Sequence, residues 1–185
     1  MNSDNPKILI LCNDFPPINS IGSDRPYSWF KYFKNYDLYP IVITKNWSES
    51  GNSRFKSILP ERKEEITKHG TIIRAKRIMT PSLWITSVFG SRFSLIRKFF
   101  TLIEKLLCFN ISLFDQHRTI YSEARNYVKK NKVDLIIATG EPFILFKYGS
   151  LLKRNKNIQW FADYRDGWYL NHVTSIKSNL LIKLI

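Results

Sequence analysis

Apolar residues along this chain form short unbroken runs and longer stretches at helical intervals, with polar loops between them. Lys7-Ile-Leu-Ile-Leu-Cys12 is nearly continuous, as expected of a parallel strand covered on both faces. Pro40-Ile-Val-Ile-Thr44, Thr71-Ile-Ile-Arg-Ala75, Val133 to Ala138 and Ile158 to Ala162 follow the same pattern. Between the first two runs lies a polar, proline-bearing loop, Asn13 to Asp24. Tyr27, Trp29, Phe30 and Phe33 then predict a helix from near Ser23 or Asp24 to about Tyr36. These pieces make one βαβ unit with short connections. Asn46 to Glu65 is polar and charged and reads as a long loop or weak helix.

Further along, Ile96, Phe99, Phe100, Ile103, Leu106 and Leu107 share one face of a helix over Phe93 to Leu107. Arg92, Arg97, Lys98 and Lys105 fall largely elsewhere. Gln116 to Lys130 predicts another amphipathic helix, with Ile120, Ala124, Tyr127 and Val128 inward. A helix follows Pro142 and runs to about Leu152. Ser175 to Ile185 is apolar and helical, and stops without a polar cap. Residues 171–185 therefore read as the start of a truncated helix or interdomain crossover. Strands alternating with helices predict an α/β chain with a Rossmann-like, doubly wound parallel sheet. Ligands of such sheets bind beyond the carboxyl ends of the strands, where the loops converge.

Composition narrows the classes. Of 185 residues, 44% are apolar and 15% aromatic, enough for a core, which excludes wholesale disorder. Cys12 and Cys108 stand far apart and outside any CxxC pair, so a disulfide framework is not expected and a reducing cytoplasm is. No run approaches the roughly 18 apolar residues of a spanning helix, and the first run is too short for a signal-peptide core. Twenty-nine Lys and Arg against 15 Asp and Glu leave a net charge of +14, which favours anionic surfaces. Nucleic acid is not the expected partner, because zinc spacing, helix-turn-helix signal and stacking motif are all lacking. An anionic membrane fits better, since the stretch from Arg92 to Leu107 is basic and amphipathic and is flanked by Phe89, Phe93, Phe109 and Phe114.

Three constellations carry candidate chemistry. Gly22 and Ser23 sit at a predicted helix start, where free N–H groups hold a phosphate or sugar hydroxyl, or where Ser23 or Asp24 is only a cap. Asp163-Tyr-Arg-Asp166 sets two carboxylates around a guanidinium beside Trp160, Trp168 and Tyr169. That group either orients sugar hydroxyls or forms a structural ion-pair network. In Thr139-Gly-Glu-Pro142, Glu141 either contacts substrate or complements a helix dipole. GxGxxG, GxxxxGK[ST] and GxSxG are absent, and His69, His117 and His172 are scattered without metal-ligand spacing, so no metal site is assigned.

Lys7-Ile-Leu-Ile-Leu-Cys-Asn-Asp-Phe-Pro-Pro17, Gly22-Ser-Asp-Arg-Pro-Tyr-Ser-Trp29 and Pro40-Ile-Val-Ile-Thr44 resemble the start of bacterial glycosyltransferases of family 4. Asp134-Leu-Ile-Ile-Ala-Thr-Gly-Glu-Pro142 and Trp160-Phe-Ala-Asp-Tyr-Arg-Asp-Gly-Trp168 look like later stations of the same N-terminal domain, in order. The resemblance implies a GT-B architecture of two Rossmann-like domains, with residues 1–170 as the family-4-like N-terminal one. In such enzymes this half binds a glycan or lipid-linked acceptor at the inner face of the plasma membrane. The other half binds the nucleotide-sugar donor and carries a Glu-x7-Glu motif.

Transfer in the family usually retains configuration and needs no metal or further cofactor. The implied role is therefore polysaccharide or envelope glycan synthesis by a cytoplasmic, peripheral membrane protein, of which this sequence holds the acceptor-side half. The residues carried over as substrate-binding are Gly22, Ser23 and Arg25, then Glu141, then Asp163, Arg165 and Asp166. Asp163 and Asp166 would position acceptor hydroxyls. Family members often have Gly-Gly in the first loop and a histidine at the end of the fifth strand. Here Ile21-Gly22 and Ala162 stand at those places, so the catalytic residue is left unassigned. Two alternatives remain open, a membrane-adaptor subunit of a split transferase and a non-catalytic remnant.

Overall fold

A strand that is apolar on both faces needs cover above and below. The computed structural model, which describes residues 5–48, 58–89, 93–108, 115–156 and 158–164, supplies it with helices on both sides of one sheet. The chain runs β1 (Lys7–Leu11), α1 (Ile21–Tyr32), a 3-10 turn (Phe33–Tyr36), β2 (Tyr39–Lys45), β3 (Lys63–Ile66) and β4 (Thr71–Ala75). It continues through α2 (Pro81–Phe89), α3 (Ser94–Cys108), α4 (Arg118–Lys130), β5 (Leu135–Thr139), α5 (Ile144–Lys156) and β6 (Gln159–Asp163). The six strands lie in the order β3-β4-β2-β1-β5-β6. All neighbours pair in parallel except β3 and β4. From β1 the sheet grows outward through β2 on one side and β5 on the other, the reversal of a Rossmann-like sheet.

Side-chain alternation along the strands divides the core. Leu9, Leu11, Ile41, Ile43 and Ile73 point to the face covered by Ile120, Ala124 and Val128 of α4 and by Leu145, Tyr148 and Leu152 of α5. Ile8, Ile10, Cys12, Val42 and Ile72 point to the other, against Phe30 of α1 and Phe15 of the first loop. Tyr127 is half-buried at the margin of the first cluster, so all four inward positions expected on α4 meet the core.

Three expectations are corrected. The sheet is not wholly parallel, because the end of the segment read as loop or weak helix, Asn46 to Glu65, forms the antiparallel edge strand β3. Its sequence, Lys-Glu-Glu-Ile, has no apolar run, and ion pairing helps to hold it. Glu65 lies 2.8 Å from Lys63 and 3.3 Å from Arg74 of β4. Helix α1 starts at Ile21 with Ser20 as N-cap, two residues before the expected Ser23 and three before Asp24. The helix α2 falls in a stretch without clear periodicity and was not expected.

The face expected to be apolar on α3 is only partly covered, with Phe100, Ile103 and Leu107 half-buried and Ile96 and Phe99 exposed. Leu95 (78% exposed), Ile96, Phe99 and Leu102 face solvent, whereas Glu104 is buried. Glu104 accepts hydrogen bonds from the Ser82 backbone N–H (2.8 Å), Ser82 Oγ (2.5 Å) and Thr80 Oγ1 (3.3 Å). A carboxylate at the start of α2 also complements that helix's free N–H groups and dipole. This contact fastens α3 to α2. Trp84, Val88 and Phe89 of α2 are exposed as well, so the helical pair presents a broad apolar surface. Arg92, Phe109, Phe114 and the predicted terminal helix Ser175 to Ile185 lie outside the described residues.

Candidate functional site at the carboxyl edge of the sheet

The switch point of this topology, where such sheets bind ligands, lies at the carboxyl ends of β1 and β5. The loop leaving β1 is built rigidly. Phe15 is buried and packs edge-on against Phe30 (5.6 Å between centroids) and Tyr27 (5.9 Å). The Asn13 carbonyl accepts from Trp47 Nε1 (2.7 Å) and Thr44 Oγ1 (3.0 Å), and the Pro16 carbonyl accepts from Arg74 Nη1 (2.7 Å). Asp14 accepts from Asn13 Nδ2 (2.6 Å) and Ser20 Oγ (2.8 Å), tying the loop to the first turn of α1. The Asp-Phe-Pro-Pro segment thus has a structural task before any ligand is considered. Cys12 lies beneath it, and burial pushes its thiol up to about 12, so it is an inert core thiol.

Gly22 and Ser23 occupy the first turn of α1, but Ser23 is buried and its hydroxyl donates to the Ser20 carbonyl (2.7 Å). Ser23 therefore bonds back to the N-cap Ser20 from the third helical position and is not itself the N-cap. Arg25, one turn on, reaches across the mouth. Its Nη1 lies 2.6 Å from Asp163 Oδ1 at the end of β6, with side-chain exposures of 45% and 16%. The second oxygen of Asp163, Oδ2, is buried without a partner among the described residues, and so is Asn13 Oδ1. Orphaned acceptors of this kind are uncommon in folded proteins and call for an explanation.

Gly140 closes the edge between β5 and β6 by donating its N–H to the Asp163 carbonyl (2.9 Å). A Cβ there would lie 3.2–3.3 Å from Phe146, Phe143 and that same carbonyl oxygen. Glu141 is exposed in the left-handed region, with φ 57°. A non-glycine residue held there costs about 1 kcal/mol, a strain that folded proteins keep most often near functional sites. Arg25, Glu141 and Asp163 therefore all belong to the carboxyl edge. Arg165 and Asp166 lie outside the described residues.

The sequence reading passed over the cluster at the start of α4. Asp115 is buried and accepts from the His117 backbone N–H (3.0 Å), from His117 Nδ1 (3.0 Å) and from the Tyr148 hydroxyl. Burial pushes the Asp115 carboxyl up, but the bonds and charge of His117 and the bond from Tyr148 outweigh it and hold it below its ordinary value. His117 is shifted down, first by burial and then by the nearby Lys45 charge, against the opposing pull of Asp115 and Asp14. Asp-x-His was the only signal in the sequence, and two residues' separation says little without the fold. Among the described residues no group of three or more His, Cys, Asp or Glu side chains is arranged to hold a metal ion.

What the fold and this edge define is an α/β domain with a Rossmann-like strand order and a polar mouth at its switch point. No family model matches this chain, and no curated protein matches it either.

Proposed function

We propose that this chain is the acceptor-side half of a family-4-like, GT-B glycosyltransferase that works on polysaccharide or envelope glycan intermediates at a membrane surface. The observation that carries the reading is the meeting of Arg25 and Asp163, 2.6 Å apart, beside the switch point of the sheet. These are two of the residues singled out by resemblance, from segments 138 positions apart. Asp163, with one oxygen held by Arg25 and the other unpartnered, would accept from sugar hydroxyls. Glu141 would offer a second carboxylate from the next loop, and Gly22 would let a ligand approach the first turn of α1. Arg165 and Asp166 would extend the same polar edge. The nucleotide-sugar donor would bind in a separate domain or subunit.

The exposed apolar surface of α2 and α3 supports attachment to an anionic leaflet. Fully burying a large apolar side chain contributes roughly 1.5–3 kcal/mol, so half-exposed residues such as Trp84, Phe99 and Leu102 would each add about half of that. Lys98, exposed beside them, and the net charge of +14 would add attraction to anionic lipid. No helix among the described residues is long and apolar enough to cross a membrane. The same surface also favours the second reading, a membrane-adaptor subunit of a split transferase.

One experiment tests both. Radiolabelled nucleotide sugars are offered to membranes carrying lipid-linked acceptors, with this chain, a donor-binding domain, or both. Label entering lipid only when both are present, and falling with Asp163→Asn, is the expected result. Label that needs the chain but ignores Asp163→Asn, and falls instead with Phe99→Asp, favours the adaptor. Label independent of the chain refutes both readings.

A further inference from the structure

The pair formed by Asp115 and His117 is not among the residues that the family resemblance singles out, yet it is as fully built as the Arg25–Asp163 contact. Asp115 has no room for an idle role, since three donors converge on its two oxygens. Its bond to Nδ1 dictates the imidazole tautomer. A carboxylate only accepts, so Nδ1 must carry the proton; in the neutral ring, which burial and Lys45 favour, Nε2 then carries the lone pair. Nε2 has no hydrogen-bond partner among the described residues, and the His117 side chain remains 16% exposed. Tyr148 fixes the carboxylate from α5, and its ring stacks on Tyr121 of α4 at 4.8 Å. The acceptor is therefore pre-oriented by two helices.

Besides Asp115, the charges near this imidazole come from two further places. Lys45 ends β2, and Asp14 lies in the loop after β1. The carboxylates of Asp115 and Asp14 beside the ring would repel an anionic ligand. Burial and Lys45 disfavour the imidazolium that an anion would require. A neutral hydroxyl meets neither obstacle, because it donates to a lone pair without bringing charge.

We propose that Nε2 of His117 is a hydrogen-bond acceptor for a neutral hydroxyl of a sugar or polyol at this edge of the sheet, with Asp115 as the residue that positions it. The proposal rests on the reading of this edge as an acceptor-binding face. Loss of the positioning bond weakens glycoside binding about fivefold or more, the usual effect of one lost hydrogen bond.

The test is nitrogen-15 NMR of the imidazoles in the whole chain near neutral pH, with the His117 signals assigned by their disappearance in His117→Gln. Methyl glucopyranoside and methyl mannopyranoside serve as neutral probes and inorganic phosphate as the anionic one. The expected result is an unprotonated Nε2 that shifts with at least one glycoside and not with phosphate. Asp115→Asn, if folded, weakens that shift and releases the tautomer. A protonated Nε2, a response to phosphate alone, or no response to any probe overturns the proposal. These results are independent of the transfer assay. A glycoside response with no transfer leaves a sugar-binding edge on a non-transferase, whereas transfer with a silent His117 sinks only the present inference.

Discussion

Asp163→Asn separates the two roles open to the ion pair at the mouth of the sheet. The substitution keeps an acceptor at the position of Oδ1, 2.6 Å from Arg25 Nη1, and removes the charge. Arg25 is nearly half exposed, so water replaces most of what the carboxylate supplied. Pairs this accessible contribute about 0.2–1 kcal/mol to stability. For a chain of this length 1 kcal/mol moves the melting temperature by about 2–4 °C, so Asp163→Asn should lower Tm by no more than about 4 °C. A thermodynamic cycle with Arg25→Ala should likewise give a coupling within about 1 kcal/mol. Thermal unfolding followed by circular dichroism reads both quantities, and the transfer assay reads function per folded molecule. The expected outcome is a small loss of stability with a large loss of transfer. A fall in Tm beyond about 10 °C, more than twice the shift the pair accounts for, with transfer per folded molecule unchanged would refute the reasoning. Asp163 would then be a structural tie between the first helix and the last strand.

Glu104→Ala removes the acceptor that the buried Ser82 N–H and the hydroxyls of Ser82 and Thr80 share. It should destabilise the contact between α2 and α3 by about 3 kcal/mol, seen as faster amide exchange in those two helices with β1 and β5 unaffected. Gly70→Ala drives a Cβ into the Pro40 carbonyl oxygen and to within 2.9 Å of Pro40 Cγ. Because the obstacle is backbone, a cost of about 2–3 kcal/mol and a Tm lower by about 4–12 °C are expected. Stability should also fall on acidification. Below the ordinary value of 6.5 the unfolded chain takes a proton at His117 that the folded chain refuses, so stability declines as pH drops from there toward the lower folded value. Asp115 then adds its own loss as pH passes below its ordinary 3.8 and through its lower folded value. Urea midpoints at about pH 7.5 and about pH 5 should differ in this direction, and His117→Gln should flatten the difference.

The central strands were legible because a strand covered on both faces is written as an unbroken apolar run, which needs no knowledge of its neighbours. Lys7–Leu11, Tyr39–Lys45, Thr71–Ala75 and Leu135–Thr139 are of this kind, and with the helices between them they dictate a Rossmann-like order. The edge strand Lys63–Ile66 was not legible, since its charged side chains meet water on an edge and its place depends on β4 and on Arg74. Helical spacing told which face of α3 is apolar but not which face is covered. The buried bonds of Glu104 hold one side of α3 against α2 and leave Leu95, Ile96, Phe99 and Leu102 exposed. The polar residues of the first loop could be named as a group, yet Ser23 turned inward and Arg25 outward for reasons set by the cap at Ser20. Periodicity and turn chemistry are properties of residues close in sequence, and they determined every strand but the antiparallel edge and most of the helices. The contacts of Arg25 with Asp163, 138 residues on, and of Asp115 with Tyr148, 33 residues on, depend on which strand lies beside which and on how the helices cover them. Only the tertiary structure could decide those.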